Sequence, residues 1–141
     1  MILLDNTTDH PVAIKPLQVI ADTQTQRDIE LIICDDTAIA ALNHEHRNVG
    51  HATDVLSFPL EGEHDHLPLG AVVISYDHAL RKSRDLGHSP EEELTLLFVH
   101  GLLHLLGYDH ENDSGQMREK EHAILRQFGL PESLIIRTER S

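Results

Sequence analysis

The sequence contains a single cysteine, Cys34, so no disulfide bond can form within the chain. It has no apolar run long enough to span a membrane, and its first residues lack the basic-then-apolar profile of a secretion signal. These absences are compatible with a reducing cytoplasm. Cys34 ends an isoleucine-rich segment, so it is expected to be a buried, unreactive thiol. A chain of 141 residues can bury a hydrophobic core of its own, so a single domain over residues 1–141 is expected.

Positive charge is also scarce. The chain has 11 Lys and Arg residues against 24 Asp and Glu residues, which gives a formal net charge of −13 with neutral histidines. This charge argues against broad, sequence-independent attraction to nucleic-acid phosphates. Histidine, in contrast, is abundant, with 12 residues of the commonest metal-binding type. The composition therefore favours a metal site, although so many histidines also make chance motifs more frequent.

The spacing of apolar residues and turn formers predicts strands and helices that do not alternate strictly. Strands are predicted at 2–4, 29–34, 54–60 and 69–75, and helices at 37–47, 77–86, 90–106 and 113–128. Pro59 places the third strand at a sheet edge or near its own end. Asp36 is the expected N-cap of the first predicted helix, and residues 61–68 form the clearest loop. This order of elements predicts an α+β domain with a small sheet.

The segment that begins at Ser89 has the strongest helix signals in the chain. Ser89 is a favourable N-cap residue, Pro90 suits the first helical position, and Glu92 completes a capping box. Residues 94–106 are apolar nearly all round, which predicts a buried helix. Gly107 is the expected left-handed stop.

Two histidines of this helix, His100 and His104, are four residues apart and so lie on one face, about 5–6 Å apart at Cβ. Beyond Gly107 the chain is expected to turn and bring His110 back toward them. Three histidine nitrogens leave a fourth tetrahedral position for water, which is typical of catalytic rather than structural zinc. Nickel or another divalent ion suits imidazole as well. The alternative is two core histidines and a surface one, which would need buried hydrogen-bond partners.

The same histidine spacing occurs in metzincin proteases, in which a glutamate after the first histidine is the general base. Here that position is Gly101, so this base is missing from the motif. The glycine is expected to leave space beside the metal for a bulkier substrate. A metzincin-type protease is therefore disfavoured, while a metalloprotease or amidohydrolase built on a similar helix stays open as an alternative.

The segment 98–110, FVHGLLHLLGYDH, resembles the signature of the YbeY-type endoribonucleases, the rRNA maturation factors of bacteria. Arg47 together with residues 53–59 resembles a second motif of that family, and residues 69–75 resemble a third block. The similarity runs in consistent order from about residue 29 to residue 130.

Three features depart from that family. Ala71 stands where aspartate is common, and Asn48-Val49 stands where Gly-Lys is common. The N-terminal region is shorter than expected, with Pro16 interrupting what would be the first helix.

The resemblance implies a single-strand-specific, metal-dependent endoribonuclease of the cytoplasm. Such an enzyme matures the 3′ end of small-subunit rRNA and acts in ribosome quality control. The resemblance also implies a mixed sheet of about four strands packed with helices, and one zinc ion on His100, His104 and His110. By position alone Arg47 is a helix C-terminal arginine, but the resemblance makes it the catalytic group that holds the scissile phosphate. No general base is assigned.

Other candidate residues keep two interpretations. Asp109 either orients a ligand histidine or is a turn residue. Arg81, Lys82 and Arg84 form either a solvated helix face or a place for RNA contacts. A ribosome-assembly protein with a structural metal is the alternative from another class, since a net charge of −13 suits basic ribosomal partners. The remaining histidines are expected on the surface or in loops: His10, His44, His46, His51, His64, His66, His78, His88 and His122.

Overall fold

The computed structural model describes residues 1–47, 53–60 and 67–130. Within these ranges the chain forms four strands: β1 (Ile2–Asn6), β2 (Ile29–Cys34), β3 (Val55–Pro59) and β4 (Gly70–Ser75). It also forms five helices: α1 (Ile14–Asp22), α2 (Asp36–Arg47), α3 (Tyr76–Leu86), α4 (Pro90–Leu105) and α5 (Gln116–Gln127). Every predicted strand and helix is present, with ends that differ by no more than three residues.

The four strands form one mixed sheet in the order β1-β2-β4-β3. The first three strands in this order are parallel, and β3 runs antiparallel to β4. The predicted α+β class and the mixed sheet are therefore confirmed. β3 is an edge strand and Pro59 is its last residue, so both parts of that prediction are confirmed. An edge strand tolerates proline because one side of its backbone needs no partner in the sheet.

Helix α4 lies between the sheet and α5. On the side of the sheet, Phe98 and Leu102 pack in one cluster with Val72 and Ile74 of β4. On the other side a second cluster joins α4 to α5 through Leu96, Val99, Leu103, Met117, Ile124 and Leu125. Burial of each such side chain stabilises the fold by about 1.5–3 kcal/mol. Packing on two sides explains why the sequence of α4 is apolar nearly all round.

The opposite face of the sheet is covered by α2. Ile39 of this helix packs with Cys34, Leu56 and Val73 from three strands. Cys34 is 2% exposed. Its burial, reinforced by the charges of neighbouring aspartates, raises the pKa of the thiol to about 11. The prediction of a buried thiol is confirmed, and the raised pKa keeps it protonated at neutral pH.

Local hydrogen bonds set the first residues of the helices. At α4 the capping box is confirmed, since Ser89 Oγ accepts the N–H of Glu92 and Glu92 Oε1 accepts the N–H of Ser89. The N-cap predicted for α2 is wrong by one residue. Asp35 Oδ1 accepts the N–H of Ala38 at 2.8 Å, whereas Asp36 is already helical.

The prediction that Pro16 interrupts the first helix is also wrong. α1 runs from Ile14 to Asp22, and Pro16 lies in its first turn. The N–H groups of a first turn have no partner within the helix, so proline removes no hydrogen bond there. None of the described helices is both long enough and apolar enough to cross a membrane.

Candidate metal centre

The three predicted ligands, His100, His104 and His110, come together at the C-terminal end of α4. One ring nitrogen of each lies within 4.8 Å of one from each of the others. The Nε2 atoms of His100 and His104 are 3.2 Å apart. The structure therefore brings the three imidazoles to a common point, as the sequence predicted.

The turn after α4 places the third ligand. Gly107 has a φ of +99°, in the left-handed region that favours glycine. Its N–H donates to the carbonyl oxygen of His104, and the N–H of Tyr108 donates to that of Leu103. These bonds close the helix and reverse the chain, so that His110 returns to the face that carries the other two histidines.

Hydrogen bonds at the outer nitrogens orient two of the rings. His104 Nδ1 lies 3.0 Å from the carbonyl oxygen of Tyr108, which can only accept, so this nitrogen carries the proton. His100 Nδ1 lies 2.8 Å from a carboxylate oxygen of Glu121 and donates in the same way. In the neutral rings both Nε2 atoms then present lone pairs to each other across 3.2 Å. Two facing lone pairs repel unless a cation lies between them.

This donor set fits a zinc-type ion. With zinc–nitrogen bonds of about 2.0–2.1 Å, tetrahedral geometry separates two ligand nitrogens by about 3.3 Å, close to the separation seen here. In addition, Nδ1 of His110 is buried and has no hydrogen-bond partner. Burying a nitrogen without a hydrogen-bond partner costs free energy, unless the nitrogen binds an ion. The arrangement can hold a metal ion, and it differs from that of core histidines with ordinary partners.

The electrostatics of His104 favour the neutral, ligating form. Burial lowers the pKa of His104, and the neighbouring rings of His100 and His110 lower it further. The carbonyl of Tyr108 and the charge of Asp109 act in the opposite direction. Because only an unprotonated imidazole nitrogen can bind a metal, the lowered pKa keeps this ligand available at neutral pH.

The three histidines line an open cleft of about 710 Å³. Its other walls are the turn formed by residues 107–111 and the edge-strand segment, which contributes residues 53–54 before β3 and residues 55–57 and Pro59 of β3. A metal bound by the three rings would therefore face solvent, with space for a substrate between the edge strand and the turn.

The space predicted beside Gly101 is not there. A Cβ atom on this residue would lie 2.7 Å from Cγ1 of Val72 and 3.1 Å from Oγ of Ser57. The glycine allows α4 to approach the sheet closely, and Ser57 Oγ donates to the carbonyl oxygen of Gly101 at 3.0 Å. The prediction that Gly101 makes room for substrate is wrong. The Cα of Gly101 faces the sheet, and side chains of the sheet occupy the space beside it.

Glu121 is a residue of the site that the sequence analysis missed. It comes from α5, is 0% exposed, and contacts His100. A signal was present, since Met117, Glu121 and Leu125 are spaced four residues apart and form one buried face. A glutamate in such an apolar row needs a partner inside the protein.

Asp109 lies beside the three histidines in the cleft lining, whereas the basic cluster lies outside that lining. Both carboxylate oxygens of Asp109 are used in the turn, by the N–H of Glu111 and by the side chain of Asn112. This favours the turn interpretation. In the basic cluster, Arg81 pairs with Asp36 at 2.9 Å. Lys82 and Arg84 are exposed, and none of the three lines the cleft.

Several predicted features lie outside the described residues: the side chain of Arg47, Asn48-Val49, His51, His64, His66 and most of the loop 61–68. Of the other histidines, four are exposed, namely His10, His44, His46 and His122. His78 and His88 are half-buried and pair with Asp36 and Glu93. Ala71 lies on β4, opposite Phe58 of β3.

Comparisons with known proteins show the family to which the chain belongs. The family described as Endoribonuclease YbeY matches residues 8–129. The Endoribonuclease YbeY of Wolinella succinogenes is 52% identical over 139 residues, which cover 99% of each chain. Against this relative, the expected shortening of the N-terminal region does not hold. The Endoribonuclease YbeY of Campylobacter jejuni (strain RM1221) is 50% identical over 138 residues, 98% of each chain.

A solved structure shares the fold. The solution structure of TM1509 from Thermotoga maritima has a TM-score of 0.61, and the match covers 92% of each chain at 22% identity. The shared fold agrees with the family match over residues 8–129 and with the two relatives that are 52% and 50% identical to this chain. The chain belongs to the Endoribonuclease YbeY family.

Proposed function

We propose that this protein cleaves single-stranded RNA at a metal ion held by His100, His104 and His110. Its proposed role is maturation of the 3′ end of small-subunit rRNA, together with ribosome quality control. One observation carries the proposal: three imidazoles converge on the wall of an open cleft, in a chain of the YbeY family. The cleft, at about 710 Å³, is large enough for part of a single strand.

The proposed metal content is one zinc ion per chain, with nickel or another divalent ion as possible occupants. When bound, such an ion would act as a Lewis acid and make water available as a nucleophile near neutral pH. The chain's part is to hold the ligands. Nδ1 of His104 donates to the carbonyl of Tyr108, and Nδ1 of His100 donates to Glu121, so the ring protons lie on the outer nitrogens. The inner nitrogens are thereby left free to bind the ion.

The cleft also needs positive charge to hold a phosphate. Its described lining contains the carboxylates of Asp54, Asp109 and Glu111 and no lysine or arginine. We assign this charge to Arg47, the residue at which α2 ends, on the strength of the family motif. A guanidinium binds two phosphate oxygens at once and offsets negative charge that develops in the transition state.

RNA contacts outside the cleft are proposed for the basic cluster on α3. Lys82 and Arg84 are the better candidates, because both are exposed. Arg81 is a weaker one, since its guanidinium already pairs with Asp36. Ribosomal or ribosome-assembly proteins are further proposed partners, because a chain with a net charge of −13 suits basic surfaces. The proposed location is the cytoplasm.

The two alternatives are less well supported. The comparisons do not support a metalloprotease, because the two relatives described above are named as endoribonucleases. A purely structural metal would require a fourth protein ligand. Among the described residues the cluster consists of three histidines beside an open cleft.

The proposal is tested with His104→Ala. We expect the variant to lose its bound metal and its cleavage of an unstructured RNA, because two imidazoles alone hold a divalent ion weakly. Metal content is measured on protein purified without a nickel column, and RNA cleavage is measured with and without a chelator.

The matched control is His122→Ala, which removes an exposed histidine from α5. This control should keep both metal and activity. Unchanged metal stoichiometry in His104→Ala would contradict the proposal, and cleavage of casein rather than RNA would favour the protease alternative.

A further inference from the structure

The residue that carries a further inference is Glu121. Its side chain is 0% exposed and lies on α5, a helix that supplies no metal ligand. Oε2 of Glu121 is 2.8 Å from Nδ1 of His100. His100 itself is 7% exposed, so the contact is made inside the protein and not at its surface.

This contact determines which nitrogen of His100 can bind a metal. A neutral imidazole has one N–H and one lone pair, and the position of the proton follows the hydrogen bond that the ring makes. With the acceptor at Nδ1, the lone pair is on Nε2, which faces Nε2 of His104 at 3.2 Å. Without this acceptor the proton could move to Nε2 and block the ligand.

The carboxylate of Glu121 lies in a largely apolar setting. It lies on the buried face of α5, in the same row as the apolar residues Met117 and Leu125. Removal of a carboxylate from water costs free energy unless hydrogen-bond donors and positive charge are near it. A divalent ion held by His100 would add such charge, and the carboxylate would in turn make the ring a stronger ligand.

We propose that Glu121 is a positioning residue of the metal centre, which holds His100 in the tautomer and orientation that bind the ion. The inference rests on the proposed metal site. Glu121 acts through His100, and the described cleft lining does not include it. Its loss should therefore weaken metal binding first, and any loss of RNA cleavage should follow from the lost metal.

The test compares Glu121→Gln with the control Glu119→Gln. Both variants remove one negative charge from α5, but Glu119 is exposed. Zinc dissociation constants are measured by competition with a chelator, and the melting temperature of each metal-free protein checks the fold. We expect Glu121→Gln to weaken zinc binding about 10- to 100-fold and Glu119→Gln to leave it unchanged. Equal affinity in Glu121→Gln and the wild type would overturn the inference.

A second measurement applies even if Glu121→Gln does not fold. ¹⁵N NMR of the histidine rings in the zinc-loaded wild type reports where the His100 proton lies. A proton on Nδ1 that is hydrogen-bonded supports the role of Glu121, and a proton on Nε2 overturns it.

Different results contradict the proposed function and the proposed role of Glu121. If the wild type binds zinc and cleaves RNA while Glu121→Gln does so equally well, the role of Glu121 alone is wrong. If the wild type binds no zinc, the proposed function fails and the role of Glu121 fails with it.

Discussion

Two histidine–glutamate pairs involve α4, one near each end. Near its start, Nε2 of His88 lies 2.7 Å from Oε1 of Glu93, and near its end Nδ1 of His100 lies 2.8 Å from Oε2 of Glu121. Both glutamates are fully buried. The two pairs therefore share their chemistry, their short contact and their burial.

The difference lies at the second ring nitrogen. That of His100 faces His104, and His110 lies beside both rings. Among the described residues, His88 belongs to no comparable group of metal-binding side chains. A buried histidine–carboxylate pair thus indicates a metal site only where the other ring nitrogen of the histidine lies close to further metal-binding side chains. At His88 and Glu93, the same kind of contact ties a residue just before α4 to the first turn of that helix.

The largest expected effect comes from replacing the two histidines separately. His100→Ala removes a ligand, so zinc affinity should fall by more than about 100-fold, beyond the loss typical of an outer partner. His88→Ala should leave zinc affinity unchanged and lower the free energy of unfolding by about 1–3 kcal/mol, because Glu93 stays buried with one partner fewer. Chelator competition and urea denaturation of the metal-free proteins measure the two quantities. Equal loss of zinc in both variants would remove the distinction between the pairs.

An intermediate effect is expected from Gly101→Ala, which tests how closely the ligand-bearing part of α4 must approach the sheet. The added methyl group would lie 2.7 Å from Cγ1 of Val72, in a well-packed core. Overpacking costs about 1–3 kcal/mol and alanine regains up to about 1 kcal/mol of helix propensity. The free energy of unfolding should therefore fall by about 1–2 kcal/mol.

The control for this substitution is the background Val72→Ala, which makes space for the new methyl group. In that background Gly101→Ala should cost less or nothing, as a double-mutant cycle would show. If the effects of the two substitutions on the free energy of unfolding simply add, contact with Val72 does not explain why residue 101 is glycine.

The smallest effect concerns Cys34, which belongs to no group of possible metal ligands within the described part of the chain. In the folded protein its pKa is raised from 9.0 to about 11. The stability gained from keeping the thiol neutral is complete below pH 9.0 and is lost as the pH rises toward 11. At about pH 8 the thiol should react with iodoacetamide far more slowly in the folded protein than in urea. Equal rates would show that burial does not protect it.

The features that the sequence predicted correctly depend on residues close together in the chain. The start of α4 was predicted from Ser89, Pro90 and Glu92, whose hydrogen bonds span three residues. The convergence of His100 and His104 follows from the helical repeat. Even local signals have limits. Asp35 and Asp36 are both able to cap α2, but Asp35 is the cap, and the carboxylate of Asp36 instead contacts Ser75 and Arg81.

The features that the sequence did not reveal depend on contacts between distant segments. Glu121 reaches His100 across 21 residues, and Ser57 reaches Gly101 across 44. This is why Gly101 was wrongly expected to lie beside substrate. Nothing near it in the chain indicates that β4 packs against its Cα.

The sequence was enough to predict that three histidines converge, and to predict the helix and turn that carry them, because helical period, capping and a left-handed glycine all act over a few residues. The packed fold was needed to supply the carboxylate behind His100, the edge strand across the cleft and the tight contact at Gly101. These depend on how α4 packs between the sheet and α5. That arrangement results from burying apolar surface over the whole chain, and no short segment encodes it.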